Sequence, residues 1–335
     1  IEVEDIFYGD IEHIIVHVNA EGNVTVIVDN RTVEEISLEN GLKVQKVFGE
    51  RSGRLEIDNP KLWTPDAPYL YDMTVKAGKD KIETYFALRT IEIKEINGIN
   101  RVCLNGEPIF LHGVLDQGYF PEGIYLPAEE KEYDRDILRM KELGFNLLRK
   151  HIKVEPDYFY YACDKLGMMV MQDMVNNGPY SFIADTALPT VGFKKRSDKT
   201  GLTGKRKEFF IKHTKDTIEQ LYNHPSIVAY TIFNEGWGQF ESDYMYDYVK
   251  SLDSTRLIDS TSGWFAQNKN DLILMDSIKT AYSTAYNRLL LLIKAGTIGK
   301  VYSVDGEESQ IEYEQPFEDV NKEEYDEFMK ELMGE

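Results

Sequence analysis

The sequence predicts two joined domains of different class, with an antiparallel β-sandwich over residues 1–94 and a parallel α/β barrel over residues 95–268. A tail over 269–335 follows neither pattern. Three observations predict this. Short β-type runs separated by turn residues fill the first part, strand-like and helix-like runs alternate in the second, and the polar side chains of the second part gather at strand ends.

In the first domain, HIIVHVN and NVTVIVD flank an Ala-Glu-Gly turn, and TVEEISL, LKVQKVF and RLEI follow at short spacing. Apolar alternation in runs of this length suits strands with one buried face, and their regular spacing suits a sandwich. NPKLWTPDAPYLYDMTV and TYFALRTIEI close the domain, with Trp63, Tyr69 and Tyr71 expected to pack rather than to bind.

After about residue 96 the rhythm changes. PIFLHGVL reads as a strand, and Ala128–Leu143 has helical spacing with Gly144 as its stop. FNLLRKH is the next strand, Pro156–Leu166 the next helix with Gly167 as its stop, and MMVMQDM the third strand. A loop over 175–203 precedes a helix at Lys205–Tyr222, then a strand at Ile227–Phe233, a helix at Ser242–Leu252 and the strand RLIDSTS.

Such alternation implies a parallel sheet, either open and doubly wound or closed into a barrel. In this reading His112 and Asp116, Arg149 and His151, Gln172 and Asp173, Asn234 and Glu235, and Ser262 and Trp264 all fall at C-terminal strand ends. A barrel gathers those ends around one axis, whereas an open sheet spreads them along a line. No glycine-rich phosphate loop follows the first strand, which removes the main support for a nucleotide-binding sheet. A barrel is expected.

Composition excludes some partners. The 335 residues carry 38 Lys and Arg against 58 Asp and Glu, a net charge of -20 that opposes binding to nucleic acid or to an anionic membrane surface. The basic run from Lys194 to Lys207 reads as a solvated loop. Two cysteines, Cys103 and Cys163, imply no disulfide framework. The longest apolar run, Leu289–Ile293, is far short of the roughly 20 residues that span a bilayer, and no basic-then-apolar leader opens the chain. A cytoplasmic location is the resulting expectation, although Ile1 in place of Met suggests a piece of a longer chain. No Cys/His cluster has zinc spacing, so neither a metal nor a cofactor is expected.

The stretch SIVAYTIFNEGWGQF, residues 226–240, runs an apolar strand into a carboxylate. A carboxylate at such a strand end is desolvated, which raises its pKa and suits it to act as a general acid. Glycosidic bond cleavage needs such an acid on the leaving oxygen, opposite a second carboxylate. Trp237 and Trp264 could stack on sugar rings, and Asn234, Gln239 and Arg149 could bond hydroxyls. On residue type alone, a structural pairing of Glu235 with Arg149 stands equally with catalysis.

Read as a whole, NHPSIVAYTIFNEGWGQF resembles the acid/base signature of glycoside hydrolase family 2, the family of β-galactosidases, β-glucuronidases and β-mannosidases. LWTPDAPYLY with FALRTIEI is similar to the end of that family's immunoglobulin-like sandwich, with Ala87 where Gly is usual. NGEPIFLHGVLDQGYFPEGIY, ELGFNLLRKHIKVEPDYFYYACDKLGMMVMQDM and DSTRLIDSTSGW resemble its first, second with third, and fifth strands of a (β/α)8 TIM-type barrel. The resemblance implies a retaining β-glycosidase with a carbohydrate substrate. It implies Glu235 as acid/base, Asn234 on the hydroxyl beside the anomeric carbon, Trp264 in the sugar subsite and Arg149 orienting the nucleophile. It also places His151, Asp116, Gln172 and Trp237 around the pocket.

The pattern breaks after about residue 268, where no Glu-Phe-Gly nucleophile motif follows, so the barrel is expected to be truncated after its fifth strand. Glu307 and Glu308 lack the surroundings of that motif. SIKTAYSTAYNRLLLLIKAGTIGKVYSVD instead resembles the junction into the second domain of Gfo/Idh/MocA-type oxidoreductases, without a nucleotide-binding half, and no NAD binding is inferred. FEDVNKEEYDEFMKELMGE reads as an acidic packing helix. A shortened barrel leaves an open edge that the tail or a second chain could cover, so a homo-oligomer stays open as an expectation. A non-catalytic carbohydrate-binding protein, or an inactive glycosidase fragment, is the alternative function.

Overall fold

A computed structural model describes residues 14–28, 33, 35–38, 52–77, 79–175, 178, 183, 202–262, 267–272, 301–302 and 308–309. The chain divides into two units, Ile1–Asp276 and Ser277–Glu335. Within the second, the described residues are a two-stranded antiparallel pair, Val301–Tyr302 with Glu308–Ser309.

The first unit opens with the expected sandwich. One sheet has the order β1-β2-β4, made from Ile14–Val18, Asn23–Val28 and Ser52–Glu56. The other has the order β3-β5-β6, made from Glu35–Leu38, Tyr71–Ala77 and Asp80–Phe86. Alternation does what the sequence implied: Val24, Val26 and Val28 of β2 and Tyr71, Met73 and Val75 of β5 turn inward into one core. Tyr71 stacks on Phe86 at 5.1 Å between ring centroids. Tyr71 thus packs as expected, and Trp63 is fully buried.

A three-stranded ribbon, β7 (Ile91–Ile96), β8 (Ile99–Leu104) and β9 (Glu107–Pro108), links sandwich to barrel. Its two tight turns are Asn-Gly pairs, Asn97-Gly98 and Asn105-Gly106, all four residues having positive φ. That is the backbone a twisted two-residue hairpin turn demands. The expected boundary at residue 94 falls inside β7, and the PIFLHGVL strand is shorter than expected, because β10 begins only at Gly113.

Five parallel strands follow, β10 (Gly113–Asp116), β11 (Leu147–Lys150), β12 (Met169–Asp173), β13 (Ile227–Thr231) and β14 (Leu257–Asp259), in the order β10-β11-β12-β13-β14. Between them run α1 (Lys131–Glu142), α2 (Asp157–Leu166), α3 (Gly204–Leu221) and α4 (Ser242–Leu252). A strictly sequential order has no reversal point, so it is barrel winding and not the doubly wound kind. β12 and β13 are buried along their whole length, as strands covered on both faces must be. The helical face packs Tyr160, Val170, Phe210, Tyr230 and Phe233 into one core, and the other face packs Met169, Met171, Val228 and Leu257 with Trp63 and Ile91. None of the described helices is long and apolar enough to cross a membrane.

The sandwich is fastened to the barrel at the N-terminal ends of the strands. Trp63 Nε1 donates to the Asp164 carbonyl at 2.8 Å. Tyr85 Oη donates to Asp164 Oδ2 at 2.7 Å, where His224 Nδ1 also lies at 2.7 Å. Arg89 spends its guanidinium on the carbonyls of Pro225, Thr255 and Ile227. Burial, with Arg256 adding to it, lowers the Arg89 pKa to about 9. This pole is built for attachment, which leaves the C-terminal strand ends for chemistry.

Candidate active site

The carboxylate that follows the buried strand over 227–231 is positioned by the backbone. β13 is paired on both sides, with Thr231 level with Asp173 of β12 and Asp259 of β14. Two further hydrogen bonds, Ile232 N–H to the Asp259 carbonyl and Phe233 N–H to the Ser260 carbonyl, carry the chain one step past the sheet. It then turns sharply: Glu235 has φ 50° and ψ 30°, Gly236 has φ 66°, and Trp237 N–H closes the turn on the Asn234 carbonyl at 2.9 Å. A left-handed glutamate costs on the order of 1 kcal/mol relative to glycine there, and such residues concentrate where function requires a fixed direction. Glu235 is half-buried, and its carboxylate makes no hydrogen bond or ion pair to any described residue.

Arg149 joins four strand ends. From β11 its Nε and Nη2 donate to the two oxygens of Asp173 at 3.0 and 3.1 Å. Nη2 also reaches Asn234 Oδ1 at 2.8 Å and Ser262 Oγ at 3.1 Å. The planar fork is the reason an arginine serves here, since a lysine ammonium cannot present two parallel donors to one carboxylate. Asp173 is fully buried, and burial raises its pKa against the opposing pull of Arg149. Asp259, also fully buried, accepts the Ser262 N–H at 3.0 Å. Burial pushes the Asp259 carboxyl up to about 6; the Ser262 hydrogen bond and Arg149 oppose the rise, and Asp173 adds to it.

The other expected site residues have partners of their own. Asp116, at the end of β10, is committed to Lys150 Nζ at 3.0 Å and to the Gly118 N–H at 2.8 Å. It belongs to a buried charge cluster in which Glu155 forms ion pairs with Lys150 and, at 2.9 Å, with Lys153, and Tyr133 donates to its other oxygen at 2.9 Å. Lys153 also holds the carbonyls of Gly118 and Tyr125, pinning the loop after β10. His151 is half-buried beside this cluster, its N–H on the Asp116 carbonyl and its Nδ1 3.5 Å from Gln117 Nε2.

Gln172 does not line a pocket. It is fully buried, accepts from Tyr160 Oη at 2.6 Å and donates to the carbonyls of Lys153 and Asp173 at 2.8 Å each, so its amide is spent inside the fold. The cause is strand parity, which sends Gln172 to the face opposite Asp173. His112 precedes β10 and bonds the Gly144 carbonyl, at the strand's beginning and not at its C-terminal end. Trp237 is half-buried with Nε1 on the Gly178 carbonyl at 3.0 Å. Trp264 lies outside the described residues.

The structure therefore brings Arg149, Asn234 and the turn bearing Glu235 and Trp237 together, and adds Asp259 and Asp173. Asp259 sits in RLIDSTS, where a lone acidic residue in an otherwise apolar strand core was the available signal. The Lys150, Lys153 and Glu155 cluster was hidden because charged residues read as exposed until their partners are seen. At the opposite pole, a crevice lined by Val16, Phe86, Arg89, Tyr222 and Arg256 separates sandwich from barrel. Its guanidiniums are used on backbone carbonyls and Asp253, so it is an attachment surface. Among the described residues no group of His, Cys, Asp and Glu is arranged to hold a metal ion.

Known proteins agree with this fold. Residues 94–316 match the model described as glycosyl hydrolases family 2, TIM barrel domain, and residues 11–89 match that described as glycosyl hydrolases family 2. The match passes through 277–305, whose resemblance to an oxidoreductase junction finds no support. A β-galactosidase of Leuconostoc mesenteroides is 28% identical over 232 residues, 67% of this chain and 20% of that protein. A protein named putative β-glucuronidase from Formosa agariphila is 30% identical over 218 residues, 63% of this chain and 19% of that one. The chain thus spans about a fifth of the length of the curated relatives it matches. The structure of a β-D-glucuronidase from Dictyoglomus thermophilum superposes with a TM-score of 0.59 at 18% identity, over 74% of this chain and 43% of that chain, a likeness of fold. Sandwich, sequentially wound parallel sheet and family matches converge: the chain belongs to glycosyl hydrolase family 2.

Proposed function

We propose that this chain carries the acid/base side of a retaining β-glycosidase site, with Glu235 as the proton donor and Asn234 on the hydroxyl beside the anomeric carbon. The observation that supports this most is the Arg149–Asn234 hydrogen bond at 2.8 Å, which orients the amide beside a glutamate held in a left-handed turn. In such a reaction a carboxylate attacks the anomeric carbon while Glu235 gives its proton to the departing oxygen. Water then attacks the glycosyl–enzyme ester and returns a proton to Glu235. Trp237 and Trp264 are the aromatic faces for the sugar, and His151 and Asp116 stand at the rim; Gln172 is not proposed to touch substrate.

The second carboxylate should lie about 5 to 5.5 Å from Glu235 if configuration is retained. Asp173 and Asp259 are the carboxylates at the neighbouring described strand ends, and both are committed to Arg149 or Ser262, so the nucleophile is assigned to neither. That commitment also favours a second reading, a carbohydrate-binding protein without turnover. A β-galactoside or β-glucuronide is the proposed substrate class, after the names of the relatives.

Hydrolysis of chromogenic aryl β-galactosides and β-glucuronides by the wild type and Glu235→Gln tests the first reading. Loss of turnover in the variant with sugar affinity retained supports it, and equal rates remove Glu235 from the chemistry. Saturable binding in calorimetry with no turnover by the wild type selects the second.

A further inference from the structure

Two buried carboxylates flank Arg149 without a role in proton transfer. Asp173 takes the fork through two donors, Nε and Nη2, and a two-point bond fixes the guanidinium plane where a single bond would let it rotate. Ser262, whose hydroxyl oxygen accepts from the same Nη2, sits at φ 52°, a conformation side-chain-bearing residues seldom adopt. Its N–H is held there by Asp259 Oδ1 at 3.0 Å. Both carboxylates are fully buried, while the Arg149 side chain keeps 21% of its surface exposed. A buried ion pair contributes poorly to stability because desolvation offsets its attraction, so a pair retained beside an open edge points to a demand for geometry.

We propose that Asp173 and Asp259 are paired positioning residues: Asp173 sets the plane of Arg149, Asp259 sets Ser262, and together they aim Arg149 Nη2 at Asn234. This rests on the reading of Asn234 as a sugar-facing group. The charged groups facing Asp259 are Arg149 from β11 and Asp173 from β12; on its own segment the N–H groups of Thr261 and Ser262 face it. Arg149 Nη1 bonds no described residue, so the fork, once aimed, has donors left for a ligand.

The test uses the 335-residue chain with 15N-labelled arginine, Arg149 Nε–H assigned by its disappearance in Arg149→Lys. Two quantities are read, the solvent exchange of that proton and the affinity for the free monosaccharides galactose and glucuronate. Asp173→Asn is expected to speed exchange at least about tenfold and to weaken sugar binding by a similar factor. Asp259→Ala, which removes the acceptor for Ser262, is expected to speed exchange and weaken binding about fivefold, and Asp259→Asn, which keeps it, to restore both within about twofold. Unchanged exchange in Asp173→Asn, or equal behaviour of Asp259→Ala and Asp259→Asn, overturns the proposal. If Asp173→Asn does not fold, the Asp259 comparison decides. If the wild type binds no sugar, the glycosidase reading fails separately, and the exchange rates alone decide the positioning claim.

Discussion

The guanidinium of Arg149 on β11 and the amide of Asn234 in the turn after β13 meet at 2.8 Å across the end of β12, from strands that are not neighbours in the sheet. The bond therefore depends on the curvature and level register of three strand ends at once. It is the contact on which the proposed site of this family 2 chain rests.

Arg149→Lys tests that dependence. Lysine keeps the charge but loses the fork, so the two parallel bonds to the buried Asp173 cannot both form. Equilibrium urea unfolding should show a loss of about 2 to 4 kcal/mol, somewhat less than the roughly 3 to 5 kcal/mol for removing one partner of a buried pair, because the charge is kept. A loss below about 0.5 kcal/mol would mean that the pair has little weight in the fold.

Asp259 gives a pH signature. Its folded pKa, raised to about 6, exceeds the unfolded value near 3.9, so the folded state holds a proton that the unfolded state has released between those limits. Its contribution to stability is therefore largest below about pH 4 and is lost as pH rises through 6. A rise of roughly two pKa units corresponds to about 3 kcal/mol. Asp259→Asn should then gain on the order of 1 to 3 kcal/mol over wild type at pH 7.5, and much less at pH 4, in urea midpoints taken at both. A gain independent of pH would assign the effect to something other than this charge.

Trp63 tests the attachment of sandwich to barrel. It is fully buried and donates to the Asp164 carbonyl. Trp63→Ala should lower stability by about 3 to 5 kcal/mol, and Trp63→Phe, which keeps most of the volume but orphans the carbonyl, by about 1 to 3 kcal/mol. Denaturation followed by tryptophan-independent circular dichroism measures both.

Two helix-stop glycines make a matched pair. Gly144 and Gly167 both have positive φ, but a Cβ on Gly144 meets nothing within 4 Å while one on Gly167 falls 2.2 Å from the Pro65 carbonyl oxygen. Gly144→Ala should cost about 1 kcal/mol, from backbone conformation alone. Gly167→Ala should cost at least about 2 kcal/mol more, because rigid backbone must move, and the difference in thermal midpoint reads it directly.

Much of this fold was legible in the sequence because the signals were local. Alternation in NVTVIVD gave β2, and glycine stops set the ends of α1 and α2 within a few residues. The barrel followed from strand–helix alternation, and the places of Arg149, Asn234 and Glu235 at or just beyond strand ends were legible from the same alternation. The ribbon over 91–108 carries its own signal in two Asn-Gly pairs, whose positive φ values mark both hairpin turns. Gln172 was misplaced because a two-residue polar strand end, Gln172-Asp173, sends one side chain to each face, and only the three-dimensional parity says which. The roles of Asp173 and Asp259 were not legible, since their value lies in partners 24 or more residues away from Asp173 and in a buried network.

The most direct measurement is the dependence of Glu235→Gln on leaving group. kcat/KM for a series of aryl β-glycosides, from dinitrophenyl to unsubstituted phenyl, is compared with wild type, because a general acid matters more as the leaving oxygen becomes more basic. A defect that grows steeply with leaving-group pKa, small for dinitrophenyl and at least about a hundredfold for phenyl, is the predicted result. A defect of equal size across the series would contradict Glu235 as the proton donor.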